Sequence, residues 1–211
     1  MIQDRHKHIV MPVDHMDQIY NSKNWMVRFV HNNRIKNIVK SISQRQKIKK
    51  VLDAGCGEGH LLESIYNSAK DYEYYGVDIT PVALDRTKLR CPFADIKQAD
   101  ISETNYPNDF FDVVICSEVL EHVYNFKLAL NEFNRILKPG GILIITFPNE
   151  FLWTISRFLL GRKPIKAPDH VNSFSPNKMK KYVNIRMASM RGLPFRLPFF
   201  TSLGYLMKFE K

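Results

Sequence analysis

The sequence predicts an α/β protein, a doubly wound Rossmann-like domain with a parallel sheet and helices on both faces. Three observations predict it. Short apolar runs alternate with amphipathic stretches through most of the chain, a glycine-rich turn joins the first apolar run to a helix, and acids follow the next two runs. Strands that alternate with helices need crossover connections, which set parallel strands side by side beneath packed helices.

The first element is an amphipathic helix over residues 24–42, where Trp25, Met26, Phe29, Val30, Ile38, Val39 and Ile42 recur at helical spacing among basic residues. Residues 50–54 form a strand, 59–69 a helix carrying Leu61, Leu62, Ile65 and Tyr66, and 72–78 a second strand. The next helix starts at Pro81, whose fixed φ suits a first turn, behind Thr80 as its cap. Residues 93–99 are a weaker third strand and 111–116, FDVVIC, a strong fourth. A helix over 126–137 is stopped by Lys138-Pro139-Gly140-Gly141 ahead of a fifth strand at 142–147. An irregular segment follows, then a helix over 176–183 and strand candidates at 187–190 and 203–209.

At 211 residues and 45% hydrophobic composition, the chain suits a single domain with a core that needs no staples. Cys56, Cys91 and Cys116 lie far apart without paired spacing, which argues against a disulfide framework or structural zinc and for a reducing, cytoplasmic compartment. The opening MIQDRHKHIV has no sustained apolar stretch, and no run approaches the roughly 20 residues that span a bilayer, so a soluble or peripheral protein is expected. The net charge of +10 favours polyanions in general, yet the lysines and arginines are spread along helix-like stretches as on solvated faces.

Chemistry concentrates where strands end. VLDAGCGEG, residues 51–59, runs from a buried strand into a turn with Gly55, Gly57 and Gly59, where missing Cβ atoms let a ligand reach backbone. Dinucleotide binders use G-x-G-x-x-G, whereas this spacing is G-x-G-x-G, which disfavours a NAD-dependent dehydrogenase. Asp78 ends the second strand, where a carboxylate can accept both hydroxyls of a ribose. Asp100, after the third strand, can accept from an adenine amino group or simply serve a turn. Glycines, an acid and another acid on three successive strand ends make a nucleoside site at the carboxyl edge of the sheet.

With VLDAGCGEG at Val51, YGVDIT at Tyr75, QADISE at Gln98, FFDVVICSEVLEHV at Phe110, LKPGGILIITFPN at Leu137 and DHVNSFSP at Asp169, the chain resembles the class I S-adenosylmethionine-dependent methyltransferases, in the group of the ubiquinone- and menaquinone-biosynthesis enzymes. The resemblance implies seven strands ordered 3-2-1-4-5-7-6 with the seventh antiparallel. It implies one domain over 1–211, with a helical cover at 1–47, a cofactor-binding core at 48–149 and an acceptor-side segment with terminal strands at 150–211. By the same resemblance S-adenosylmethionine is the cofactor. Asp53, Gly55, Cys56 and Gly57 frame its methionine end, Asp78 and Ile79 its ribose, and Asp100 and Ile101 its adenine. Cys116 and Ser117 form the strand edge facing the methionine amino group. Tyr20 and Trp25 fall where an N-terminal helix covers the cofactor, although core packing is the expectation for Trp25.

The acceptor side is less determined. A sulfonium already activates its methyl group, so the protein mainly aligns an acceptor, and no metal cluster or nucleophilic triad is expected. His170, in DHVNSFSP, is the first candidate base and His122, in LEHV, the second, with a structural histidine as the alternative for each. FLWTISRFLL at Phe151 and LPFRLPFF at Leu193 either complete the core or wall an acceptor pocket for an apolar or lipid-linked small molecule. The second reading adds peripheral membrane contact, with Arg157, Arg162 and Lys163 near anionic headgroups. Two alternatives stay open: an RNA methyltransferase recruited by the basic surface, and a nucleotide-binding module without transferase activity. Ser117-Glu118-Val119-Leu120 stands where base amino methyltransferases carry an Asp/Asn-Pro-Pro-aromatic motif, which makes nucleic acid the less favoured partner.

Overall fold

Period-two apolar alternation in the strands decides how the layers stack. The computed structural model describes residues 22–43, 48–159, 170–195 and 201–211. In β1 (Lys50–Ala54), Val51 faces one apolar cluster while Leu52 and Ala54 face the other. In β4 (Phe111–Ser117), Val113 and Ile115 point one way and Val114 and Cys116 the other; in β5 (Leu137–Pro148), Ile142 and Ile144 oppose Leu143, Ile145 and Phe147. Strands apolar on both faces belong in the middle of a sheet covered twice.

Three helices supply the first cover, α1 (Trp25–Ser43), α2 (His60–Ser68) and α3 (Pro81–Arg90), through Ile38, Ile42, Leu62, Ile65 and Leu84. The second comes from α4 (Phe126–Ile136) and α6 (Pro176–Tyr182), through Phe133, Ile136 and Met179. The fifth helix in chain order, α5 (Glu150–Leu159), follows β5 directly. With β2 (Glu73–Asp78), β3 (Ala94–Gln98), β6 (Arg186–Leu193) and β7 (Gly204–Glu210), the sheet has seven strands in the order β3-β2-β1-β4-β5-β7-β6. The strands from β3 to β5 pair in parallel, and β7 runs antiparallel to both β5 and β6. This is the expected doubly wound order, and no described helix is long and apolar enough to cross a membrane.

Several boundaries move, each for a visible reason. The Lys138-Pro139-Gly140-Gly141 stop lies inside β5, because Leu137 already pairs with Phe111 before the register shifts towards Val113. Lys138 is held at 2.8 Å by Asp112, which also accepts from the amides of Lys49 and Lys50. Burial would raise the Asp112 carboxyl, but Lys138 and these amides outweigh it and hold the group below its ordinary range. Thr80 makes no side-chain cap on α3; its own amide instead donates to Asp78. The α1 face is rotated from the one expected. His31, Arg34, Ile35, Ile38 and Ile42 are buried, while Trp25 is 66% exposed and does not join the core. Phe151 and Phe158 of α5 are exposed too, which removes both from the core reading. In the second apolar stretch Leu193 is buried and Phe195 exposed. Tyr20, Asp169, Arg162, Lys163 and the side chain of Arg157 lie outside the described residues.

Candidate active site

The glycine turn is built by backbone that only glycine adopts cheaply. Gly55, Gly57 and Gly59 have φ of 85, 51 and 81°, and a Cβ on Gly55 would sit 2.5 Å from Val119 Cγ2. The turn is pulled onto the neighbouring strand end: the amides of Gly55 and Cys56 both donate to the Val77 carbonyl, at 2.8 and 3.0 Å. Asp78 completes this brace. Its Oδ2 accepts from the Gly57 amide and its Oδ1 from the Thr80 amide, both at 2.9 Å. The predicted ribose acceptor therefore also fixes the turn, and each oxygen keeps a second lone pair. Beside it, Ile79 is half-buried and its carbonyl accepts from Gln98 Nε2.

Asp53 is 2% exposed at the end of β1. Burial, reinforced by the Asp78 carboxylate and opposed by the Arg34 guanidinium, pushes its pKa up to about 7. Cys56 is buried as well, and burial together with Asp53 pushes its thiol up. Asp100 lies just beyond β3, where its Oδ1 accepts from the Ser102 amide and hydroxyl at 2.8 and 2.7 Å, a turn bond of the kind weighed above. The adjacent Ile101 is buried. Cys116 is fully buried in the core below β4, so its backbone is what it can offer a ligand. Ser117 Oγ lies 2.9 Å from Thr146 Oγ1.

A small cleft opens between these groups, lined by Asp53, Gly55, Cys56 and Ser117 from the sheet edge and by Glu58, His60 and Leu61 at the start of α2. Its remaining wall is Arg34 and Ile35 of α1. Arg34 is the main residue that sequence reasoning missed. It sits one and two helical turns before Ile38 and Ile42, a spacing that marks the buried face, yet it reads as one of many surface cations. It is 7% exposed, and its Nη1 lies 3.4 Å from Glu118 Oε2. Glu118 itself adopts a left-handed φ of 56°. Glu58, also missed, is buried with Arg86 at 3.6 Å and His60 at 3.9 Å. A guanidinium and carboxylates around a glycine turn suit a ligand whose amino-acid end carries both charges, and Asp78 at the next strand end suits a ribose. The donor set fits S-adenosylmethionine.

Past the end of β4, at the turn that carries His122, the two candidate histidines come together although they lie far apart in the chain. The His122 and His170 rings are edge-to-face with centroids 4.9 Å apart. His170 Nδ1 lies 2.5 Å from Glu150 Oε1, a partner the sequence did not announce. Glu121 is buried beside them, and burial followed by the Glu118 carboxylate pushes its carboxyl well above the ordinary range, with Arg34 opposing. Ligand atoms of Glu121, His122 and His170 all lie within 4.8 Å of one another, so the trio could hold a metal ion.

Comparison with known proteins bears on the family and the fold. Residues 52–145 match the family described as methyltransferase domain. A Mycolicibacterium smegmatis protein named a probable S-adenosylmethionine-dependent methyltransferase is 28% identical over 120 residues, covering 57% of this chain and 46% of that protein. The chain thus spans less than half of that relative. The ubiquinone biosynthesis O-methyltransferase of Alkalilimnicola ehrlichii is 26% identical over 185 residues, covering 77% of this chain and 73% of the enzyme. Among solved structures, a Pyrococcus horikoshii protein superposes with a TM-score of 0.71 at 16% identity, covering 92% of this chain and 94% of its own. A TehB-like S-adenosylmethionine-dependent methyltransferase from Corynebacterium glutamicum gives 0.62 at 20% identity, covering 93% of each chain.

Proposed function

We propose, for a chain that carries a class I S-adenosylmethionine-dependent methyltransferase domain, that it moves a methyl group from this cofactor to a small-molecule acceptor with an apolar or lipid-linked body. The carrying observation is the cleft in which Arg34, Asp53 and the glycine turn meet at the carboxyl edge of β1 and β4. In this reading Arg34 takes the methionyl carboxylate, Asp53, Gly55 and Gly57 enclose the methionine end, and the backbone at Cys116 and Ser117 accepts from the amino group. Asp78 takes the ribose hydroxyls with its remaining lone pairs, and Asp100 and Ile101 flank the adenine. When bound, S-adenosylmethionine supplies a methyl group already activated by its sulfonium. What remains for the chain is to hold the acceptor in line and exclude water, which can contribute about 10⁵ M or more in effective molarity.

His122 and His170 are not among the residues that line the cofactor cleft, which suits groups that act on the acceptor. The relatives named ubiquinone biosynthesis O-methyltransferases favour an oxygen acceptor on a quinone-precursor type of molecule. The exposed aromatics of α5, Phe151 and Phe158, offer the apolar wall such a molecule needs.

Isothermal calorimetry tests the cofactor assignment. Asp78→Ala is expected to weaken S-adenosylmethionine binding by about 1.5–3 kcal/mol, the range for a charged acceptor, or roughly one to two decades in dissociation constant. Unchanged affinity would remove the ribose role, and tighter binding of NADH than of S-adenosylmethionine would overturn the reading.

A further inference from the structure

Three side chains of metal-ligating type converge outside the cofactor cleft. Glu121 and His122 sit on the short turn Leu120–His122 after β4, and His170 reaches them from beyond α5. Glu121 is 1% exposed, and its Oε2 has no hydrogen-bond partner among the described residues. A buried carboxylate oxygen without a donor is costly, and a cation in contact with it removes the cost. His170 is prepared for the same task. Glu150 at 2.5 Å from His170 Nδ1 sets the ring so that this nitrogen holds the proton and Nε2 the lone pair, the arrangement by which carboxylates orient metal-bound imidazoles.

The scaffold around the trio is tied in advance. The Glu121 carbonyl accepts from the Val171 and Asn172 amides at 2.9 and 3.0 Å. Asn172 Nδ2 in turn donates to the carbonyls of Leu120 and Val123 at 3.3 and 2.7 Å. Four hydrogen bonds therefore clamp the segment that carries His170 onto the turn that carries the other two ligands.

We propose that Glu121, His122 and His170 form a binding site for one divalent cation, with Glu150 as the residue that positions His170. Two imidazoles and one carboxylate select borderline metals such as Zn²⁺, Co²⁺ or Ni²⁺ over Mg²⁺ or Ca²⁺, which prefer oxygen-only shells. Three protein ligands leave a coordination position open. On the transferase reading, that position would take an acceptor oxygen and favour its anion; the cation site itself does not depend on that reading.

The test uses the whole protein, stripped with a chelator and titrated with Co²⁺ under visible spectroscopy. The expected result is one equivalent bound with d–d absorption bands and released by Zn²⁺. Glu121→Gln and His170→Gln should each weaken Co²⁺ binding by at least tenfold, and Glu150→Gln by about 10- to 100-fold with the band shape retained. Calorimetric binding of S-adenosylmethionine by each variant confirms that it is folded, and this signal reports the cofactor reading separately. Stripped wild-type protein that develops no bands overturns the site without any variant. A folded Glu121→Gln that binds Co²⁺ like the wild type also overturns it, leaving Glu121 as a buried protonated acid.

Discussion

Asp53 shows how a residue legible in sequence gains its behaviour from what surrounds it. An aspartate before a glycine turn is readable as part of the site, but its titration depends on burial, on Asp78 and on Arg34. Its folded pKa of about 7 lies above the unfolded value near 3.9. The native state then binds more protons than the unfolded one between those values, so this group's contribution to stability falls as pH rises through that window. A cationic cofactor favours the ionised form. S-adenosylmethionine binding near pH 7 is therefore expected to release a proton, visible as a binding enthalpy that changes with the ionisation heat of the buffer. Asp53→Asn should abolish that dependence, and an identical dependence in the variant would exclude Asp53 as the source. Arg34 was illegible for the opposite reason: nothing in its neighbours distinguishes it from a surface cation until the α1 face is known. Glu150 and Glu121 became meaningful only when folding brought His170 beside them.

At the scale of elements, strong apolar alternation made β1, β4 and the apolar part of β5 readable, and Pro81 marked the start of α3. Ends were harder to place, because tertiary pairing extended them: Leu137 joins β5 through Phe111, and β6 reaches Leu193 through Gly204. The α5 segment was ambiguous since an apolar helix serves core and pocket wall equally well. Phe151 and Phe158 are 71% and 66% exposed, so replacing both by Ser should cost under about 1 kcal/mol in chemical denaturation, far less than the ~3–5 kcal/mol typical of one buried phenylalanine. The same double variant is expected to keep S-adenosylmethionine binding and lose cosedimentation with anionic vesicles carrying a quinone-type lipid. Loss of several kcal/mol would return α5 to the core, and intact cosedimentation would remove it as the acceptor wall.

For the whole molecule, alternation alone predicted the class, and the strand order came with the family resemblance, because pairing between distant strands leaves no local signature. That order places β7 between β5 and β6, so the sheet is not assembled in the sequence in which it is synthesised. Without β7, β6 has no partner strand in the sheet, and the apolar flank of β5 is an open edge. Docking of β7 is thus what closes the sheet beyond β5, and any stage that lacks it presents an aggregation-prone edge. A chain stopped after residue 203 should populate that stage permanently. Its amides over Arg186–Leu193 are expected to exchange with solvent at nearly unprotected rates while those of β1 and β4 stay slow. Protection of the 186–193 amides in that truncated chain would show that β6 docks without β7.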